Sequence, residues 1–265
     1  MAVIGDVYSF MNKFAPFEYQ MDFDNAGFLV GHKDAEVTRI LVSLDITEEV
    51  VLEAAERGCQ LIVSHHPVIF HPLKAATDES VAGQVVLALA EHHIGAICAH
   101  TNLDAVLDGV NDRLADRLQL SDLEQLHQDG VDANGAPYGI GRVGRPHKSG
   151  MSAGEYAAFV KEQLGAASVR FTDNGKPVER VAVGGGACGS MLADAAAAGC
   201  DTFVTADVKH DQYLDAKAMG INLMDAGHYA TETVVCPMLV KKLKQAFPGV
   251  EVLHTLRHKE PYAGV

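Results

Sequence analysis

A chain of 265 residues is long enough for one large α/β domain or two small ones around a substantial core. Its composition, 48% hydrophobic and 21% charged, is that of an ordinary globular protein. With 35 acidic against 21 basic residues the formal charge is −14. Nucleic-acid backbones and anionic membrane surfaces are therefore unfavourable partners, and an anionic substrate would need a local positive centre such as a metal ion.

The N-terminal MAVIGDVYSFMNKFAP lacks a basic region followed by a long apolar stretch, so no signal peptide is read. Residues 1–14 predict a short amphipathic helix, and MDFDNAGFLVG (21–31) a polar turn leading into a strand. RILVSLDIT (39–47) predicts a strand, and EEVVLEAAERG (48–58) a helix stopped by Gly58. CQLIVSHH is the next strand, VAGQVVLALAEHH (81–93) a helix, IGAICAHTNLD (94–104) a strand and VNDRLADRL (110–118) a helix. This alternation predicts α/β layers with a largely parallel sheet. HQDGVDANGAPYGIGRVGRPHKSG (127–150) reads as turns and short hairpin strands. SAGEYAAFVKEQLG (152–165) is a helix opened by a Ser152–Glu155 capping box. VVCPMLVKKLKQAF (234–247) is an apolar-faced helix whose late lysines complement its dipole.

The α/β pattern repeats. RILVSLD at 39 aligns with RVAVGGG at 180, and RGCQLIVSHHP (57–67) with AGCDTFVTADV (198–208), both at an offset of 141. The match runs without a gap from 39–64 to 180–205, which favours an internal duplication over a chance likeness of two strand-helix-strand units. The fold class is thus α/β, two pseudo-repeated lobes with mostly parallel mixed sheets. The expected division is 1–125, completed by 233–265, and 126–232.

Ligand sites in α/β sheets lie at the carboxyl ends of strands. His65 and His66 end one strand, and His100 and Asp104 end another. The corresponding strand of the second lobe runs into Asp225, His228 and Glu232, with His228 and Glu232 spaced i, i+4. Adjacent side chains of an extended strand point to opposite faces, so His65 and His66 serve one cluster only if the chain turns there. Pro67 favours that turn. Split histidines with a carboxylate able to bridge are the recipe for a two-metal site; a polar strand-end cluster without metal is the alternative. Nitrogen and oxygen donors without thiolate suit Zn, Mn, Fe, Co or Ni. Five cysteines, an odd number and none in a CxxC pair, indicate neither a disulfide framework nor a thiolate zinc site. Asp45, at its own strand end, ranks below Asp104 as a group approaching metal. His254 and His258, like the remaining histidines, read as surface or cap residues.

GGGACG (184–189) satisfies G-x-G-x-x-G after a strand, with Asp207 about 20 residues on. It is read either as a dinucleotide fingerprint or as a tight turn with room beside a cavity. TADVKHD places Lys209 and His210 at a strand end, as contacts to an anionic substrate or as a solvated loop. No apolar run approaches the ~18 residues of a membrane span, so a cytoplasmic location is expected.

The blocks SHHPVIFHPLK, AHTNLD, GVNDRLA, VAVGGGACG, TADVKHDQYLDA and DAGHYATE resemble, in order and nearly end to end, the NIF-three-like family, or type 2 GTP cyclohydrolase homologues. The chain is similar to the short form, without the domain that longer members insert. Phe23 stands where the family usually has Trp, a change expected to affect packing only, and Ala206 where it often has Gly. The resemblance implies two divalent metal ions per subunit: His65 and Asp104 on one, His66 and His228 on the other, and Glu232 bridging. It implies His100 as a neighbour of the metals, either supporting their ligands or transferring a proton. It also implies a homohexamer, a trimer of dimers around an internal cavity, and metal-dependent hydrolysis of the GTP cyclohydrolase kind. A metal-binding regulatory or chaperone scaffold without turnover is the other reading.

Overall fold

The computed structural model describes residues 1–263; Gly264 and Val265, assigned above to the first lobe, lie outside the described residues. Two compact units appear. The first comprises Met1–Leu103 and Cys236–Lys259, the second Asp104–Val235 and the segment from Glu260.

In the first unit α1 (Ile4–Phe14) precedes β1 (Gly27–Val30) and β2 (Arg39–Ser43). Then come α2 (Glu48–Glu56), β3 (Leu61–Ser64), α3 (Val81–Glu91) and β4 (Gly95–Cys98). The Thr47 hydroxyl caps α2 by accepting from Val50 N at 3.3 Å, and Gly58 ends that turn with φ of +65°. Each of β3 and β4 is buried along its whole length, which is why both read as unbroken apolar runs rather than alternating ones.

The short helix α4 (Thr101–Ala105) crosses into the second unit, followed by α5 (Val110–Arg117), β5 (Ser121–Gln125) and β6 (Arg142–Arg145). α6 (Ala153–Leu164) carries the expected capping box, with Glu155 N donating to Ser152 Oγ at 3.3 Å and Ser152 N to Glu155 Oε2 at 2.8 Å. β7 (Arg170–Phe171), β8 (Val181–Val183), α7 (Leu192–Ala197) and β9 (Thr202–Thr205) come next. α8 (His210–Met219), β10 (Asn222–Asp225) and α9 (His228–Glu232) complete the repeat. α10 (Cys236–Ala246) and β11 (Glu251–His254) return to the first unit.

The first sheet runs β11-β2-β3-β4-β1, the second β7-β10-β9-β8-β6-β5. In the first, β11, β2, β3 and β4 are parallel and β1 is antiparallel. In the second, β8, β9 and β10 are parallel, with antiparallel β7 beside β10 and antiparallel β6 beside β8. The repeat reaches the hydrogen-bond register. Ile40 pairs with Leu61 and Val42 with Val63, as Val181 pairs with Thr202 and Val183 with Val204, each shifted by 141. β4 maps onto β10 and α4 onto α9 at a second common offset, 127. The first core packs Leu41, Val51, Ile62, Leu89 and Ile94; in the second, Tyr156, Val160, Val181 and Val204 form one cluster and Phe203, Leu192 and Leu223 another. No helix among the described residues is long and apolar enough to cross a membrane.

Candidate functional site

In the first unit β3 ends at Ser64 and the chain turns at once. The amides of His65 and His66 both donate to Leu44 O, at 3.1 and 2.9 Å, and Ser64 Oγ donates to His66 O at 2.9 Å. Two successive amides aimed at one carbonyl break the strand's alternation. The two imidazoles can then lie on the same side, their ring centroids 4.9 Å apart. His100, after β4, joins them at 5.2 and 5.5 Å, and ring nitrogens of the three lie within 4.8 Å of one another.

Each ring is oriented through Nδ1. His65 Nδ1 lies 2.8 Å from Ala99 O, His66 Nδ1 2.7 Å from Asp45 Oδ1 and His100 Nδ1 2.8 Å from Asp24 Oδ1. A carbonyl or carboxylate oxygen only accepts, so Nδ1 of each ring bears a proton and Nε2 is the nitrogen turned toward the cluster's other donors. Asp24 also accepts from Thr101 N at 3.0 Å and from Thr101 Oγ1 at 2.5 Å. Burial alone would raise its carboxyl, but the hydrogen bonds from His100 and Thr101 and the charge of His100 outweigh it and hold the group at about 2. The sequence offered no signal for Asp24. Asp45, ranked below Asp104 as a group approaching metal, orients His66. His258 is no surface residue either: its Nε2 lies 2.8 Å from Asp45 Oδ2, and burial pushes its pKa down against the pull of Asp45. Phe23 is 62% exposed and meets Phe70 edge to face at 6.4 Å; Phe70 in turn lies 6.0 Å from His100.

In the second unit α9 places His228 and Glu232 on one face, with His228 Nε2 3.0 Å from Glu232 Oε2. His228 Nδ1 lies 2.6 Å from Asp207 Oδ2, so this ring too is oriented through Nδ1 by a carboxylate. Glu232 is 3% exposed and Asp104, on α4, 7%. Asp225, grouped with them in the sequence, is a structural carboxylate: it pairs with Arg170 and accepts from Val208 N at 3.2 Å and Gly227 N at 3.3 Å.

The glycine run after β8 underlies α9. Gly186 N donates to Thr231 Oγ1 and Gly185 N to Asn111 Oδ1, both at 3.0 Å. Gly186 has φ of +64°, and a Cβ there would fall 2.0 Å from Glu232 Oε1 and 3.2 Å from His228 Nε2. These glycines therefore give the carboxylate and the imidazole their space, the tight-turn reading of GGGACG. A short 3-10 turn, Gly189–Met191, follows before α7. Burial, and then the charges of Asp104 and Glu232, push the Cys188 thiol far up, so it stays neutral. Lys209 and His210 are exposed where α8 begins.

A family model described as Duf34/NIF3 (NGG1p interacting factor 3) matches residues 2–261. The chain belongs to the Duf34/NIF3 family. A Clostridium perfringens protein named GTP cyclohydrolase 1 type 2 homolog is 31% identical over 261 residues, covering 98% of each chain. A Streptomyces coelicolor protein of the same name is 34% identical over 249 residues, covering 92% of this chain and 87% of its own. The crystal structure of Staphylococcus aureus hypothetical protein SA1388 superposes with a TM-score of 0.92 at 30% identity, over 99% of both chains. A Bacillus cereus protein related to NIF3 gives 0.94 at 23% identity, over 100% of this chain and 99% of its own, and supports the NIF3 fold alone.

Proposed function

We propose that this Duf34/NIF3 protein holds two divalent metal ions and hydrolyses a nucleotide-like substrate with them, in the manner of a type 2 GTP cyclohydrolase. The observation that carries this reading is the shared orientation of His65, His66, His100 and His228. Each engages Nδ1 with a backbone carbonyl or carboxylate, the outer-shell arrangement that metal-ligating histidines adopt.

The donor set fits such ions. Imidazole and carboxylate donors are present, the nearby Cys188 thiol is kept neutral, and Gly186 reserves room beside Glu232 and His228. That chemistry suits Zn, Mn, Fe, Co or Ni. Following the family's motifs, we assign His65 and Asp104 to one ion, His66 and His228 to the other, and Glu232 to both. Two bound cations would acidify water and polarise the electrophile. His100, its ring held through Nδ1 by Asp24, would take a proton at Nε2 and return it to the leaving nitrogen. For a GTP-like substrate, water would add to the imidazole carbon of the guanine and the ring would open. Lys209 and His210 would meet the anionic part of such a substrate. We further assign a cytoplasmic homohexamer, a trimer of dimers, to be checked by light scattering.

The test is metal content and turnover of GTP and a panel of phosphoesters, for metal-loaded wild type, Glu232→Ala and His100→Ala. Glu232→Ala should lose metal, whereas His100→Ala should keep both ions and lose turnover. If Glu232→Ala retains both ions, the bridging role fails. If loaded wild type turns over nothing, the scaffold reading replaces the hydrolase.

A further inference from the structure

His258 and Asp45 belong to no ligand set, yet they stand in line with His66. Asp45 accepts twice: from His66 Nδ1 at 2.7 Å through Oδ1 and from His258 Nε2 at 2.8 Å through Oδ2. The His258 side chain is 6% exposed and that of Asp45 39%. A carboxylate so exposed, held on one side only, would divide its time between His66 and water. His258 removes that freedom from the buried side.

The turn bearing His258 is itself fixed. β11 pairs with β2 from Glu251↔Arg39 to His254↔Val42, and Thr255 N donates to Val42 O at 3.0 Å. That register delivers the following turn to the carboxyl end of β2, where Asp45 stands. Glu53 of α2, 3% exposed, accepts there from Thr255 Oγ1 at 2.5 Å, Leu256 N at 3.0 Å and Arg257 N at 3.2 Å. Arg57 balances its charge from 2.5 Å. Thr255 Oγ1 in turn accepts from His258 N at 3.3 Å. A buried, fully engaged carboxylate holding an otherwise irregular turn specifies where one imidazole goes.

We propose that His258 is a positioning residue for His66: acting through Asp45, it fixes the orientation and tautomer of that ring, and with them the ring's affinity for metal. The metal consequence rests on the two-metal reading above; the orientation does not.

Both parts can be read on the full-length protein. Ring nitrogen-15 spectra of the metal-free chain, with His66 assigned by its disappearance in His66→Gln, should show a single Nδ1–H tautomer in wild type. In His258→Ala they should show a mixture of tautomers. His258→Gln, whose amide can still donate to Asp45, should restore the wild-type spectrum, a rescue that a general packing role would not produce. In zinc titrations His258→Ala should weaken one site by about tenfold and leave the other within about twofold. A His258→Ala protein with the wild-type His66 spectrum and wild-type zinc affinity overturns the proposal. A wild-type chain that binds none of Zn, Mn, Fe, Co and Ni overturns the two-metal reading instead, while the spectra still decide the positioning role.

Discussion

The two units start from one plan and differ at a few strand ends. At the offset of 141, Asp45 of the first corresponds to Gly186 of the second, and His66 to Asp207. In the first unit the carboxylate stands at the end of β2 and orients an imidazole at the end of β3. In the second the carboxylate has moved to the end of β9, where it orients an imidazole on α9. The position that held a carboxylate in the first unit is emptied to glycine, because Glu232 needs the space. At the offset of 127, His228 falls on Thr101 and Thr231 on Asp104, so both short helices carry polar groups on the same turn with different chemistry. Duplicated backbone thus conserves where a carboxylate–histidine pair can be built, while the strand supplying each partner exchanges.

The largest expected effect comes from a buried ion pair in the second unit. Arg142, 2% exposed, bonds Asp112 at 2.6 Å and three backbone carbonyls, those of Gly139, Gly141 and Val106. Arg142→Ala leaves Asp112 buried without its cation and should cost about 3–5 kcal/mol in urea denaturation. Next comes the emptied position. Gly186→Ala adds a Cβ at positive φ against Glu232 and should cost about 2–3 kcal/mol, with the helical turn of α9 exchanging its amides faster. In the first unit the next test falls on Asp24, which orients His100. Its folded pKa of about 2 lies below the ordinary carboxylate value, so its stabilisation is complete above about pH 5 and is lost as pH falls towards 2. Asp24→Asn should therefore be less stable than wild type by about 1–2 kcal/mol at pH 6, and the gap should close in denaturation curves taken near pH 2. The smallest effect concerns helix starts. Thr47 caps α2, whereas its equivalent in the second unit, Cys188, makes no side-chain cap. Thr47→Ala should cost about 1 kcal/mol, measurable as a lowered denaturation midpoint. Equal losses in Thr47→Ala and Cys188→Ala would erase that contrast.

Much of the fold was legible because buried parallel strands write themselves as unbroken apolar runs. The repeat was legible because RILVSLD and RVAVGGG keep the same register to their neighbours. His228 and Glu232 could be paired from their spacing alone, since a single helical turn brings them to 3.0 Å. The orienting carboxylates were harder. Asp24 meets His100 across 76 positions and His258 meets Asp45 across 213, and no periodicity reports contacts made through loops. Asp225 shows the converse: a carboxylate at the same strand end, outside the expected metal set, is held by Arg170 and by backbone amides. The glycine run was ambiguous because a turn that cradles phosphate and a turn that makes way for a carboxylate use the same residue for the same steric reason.

β11 pairs with β2, though Glu251 is made long after Arg39. At a synthesis rate of roughly 5–20 residues per second, about 10–40 s separate the two strands on the ribosome. Throughout that interval the nascent first unit carries β2 as an open edge, its amides and carbonyls available to any passing strand. The second unit, encoded in between, has all its strands emerged before the first can close its sheet. The turn bearing His258 is made later still, so Asp45 receives the hydrogen bond of His258 only after every strand of the second unit has been made.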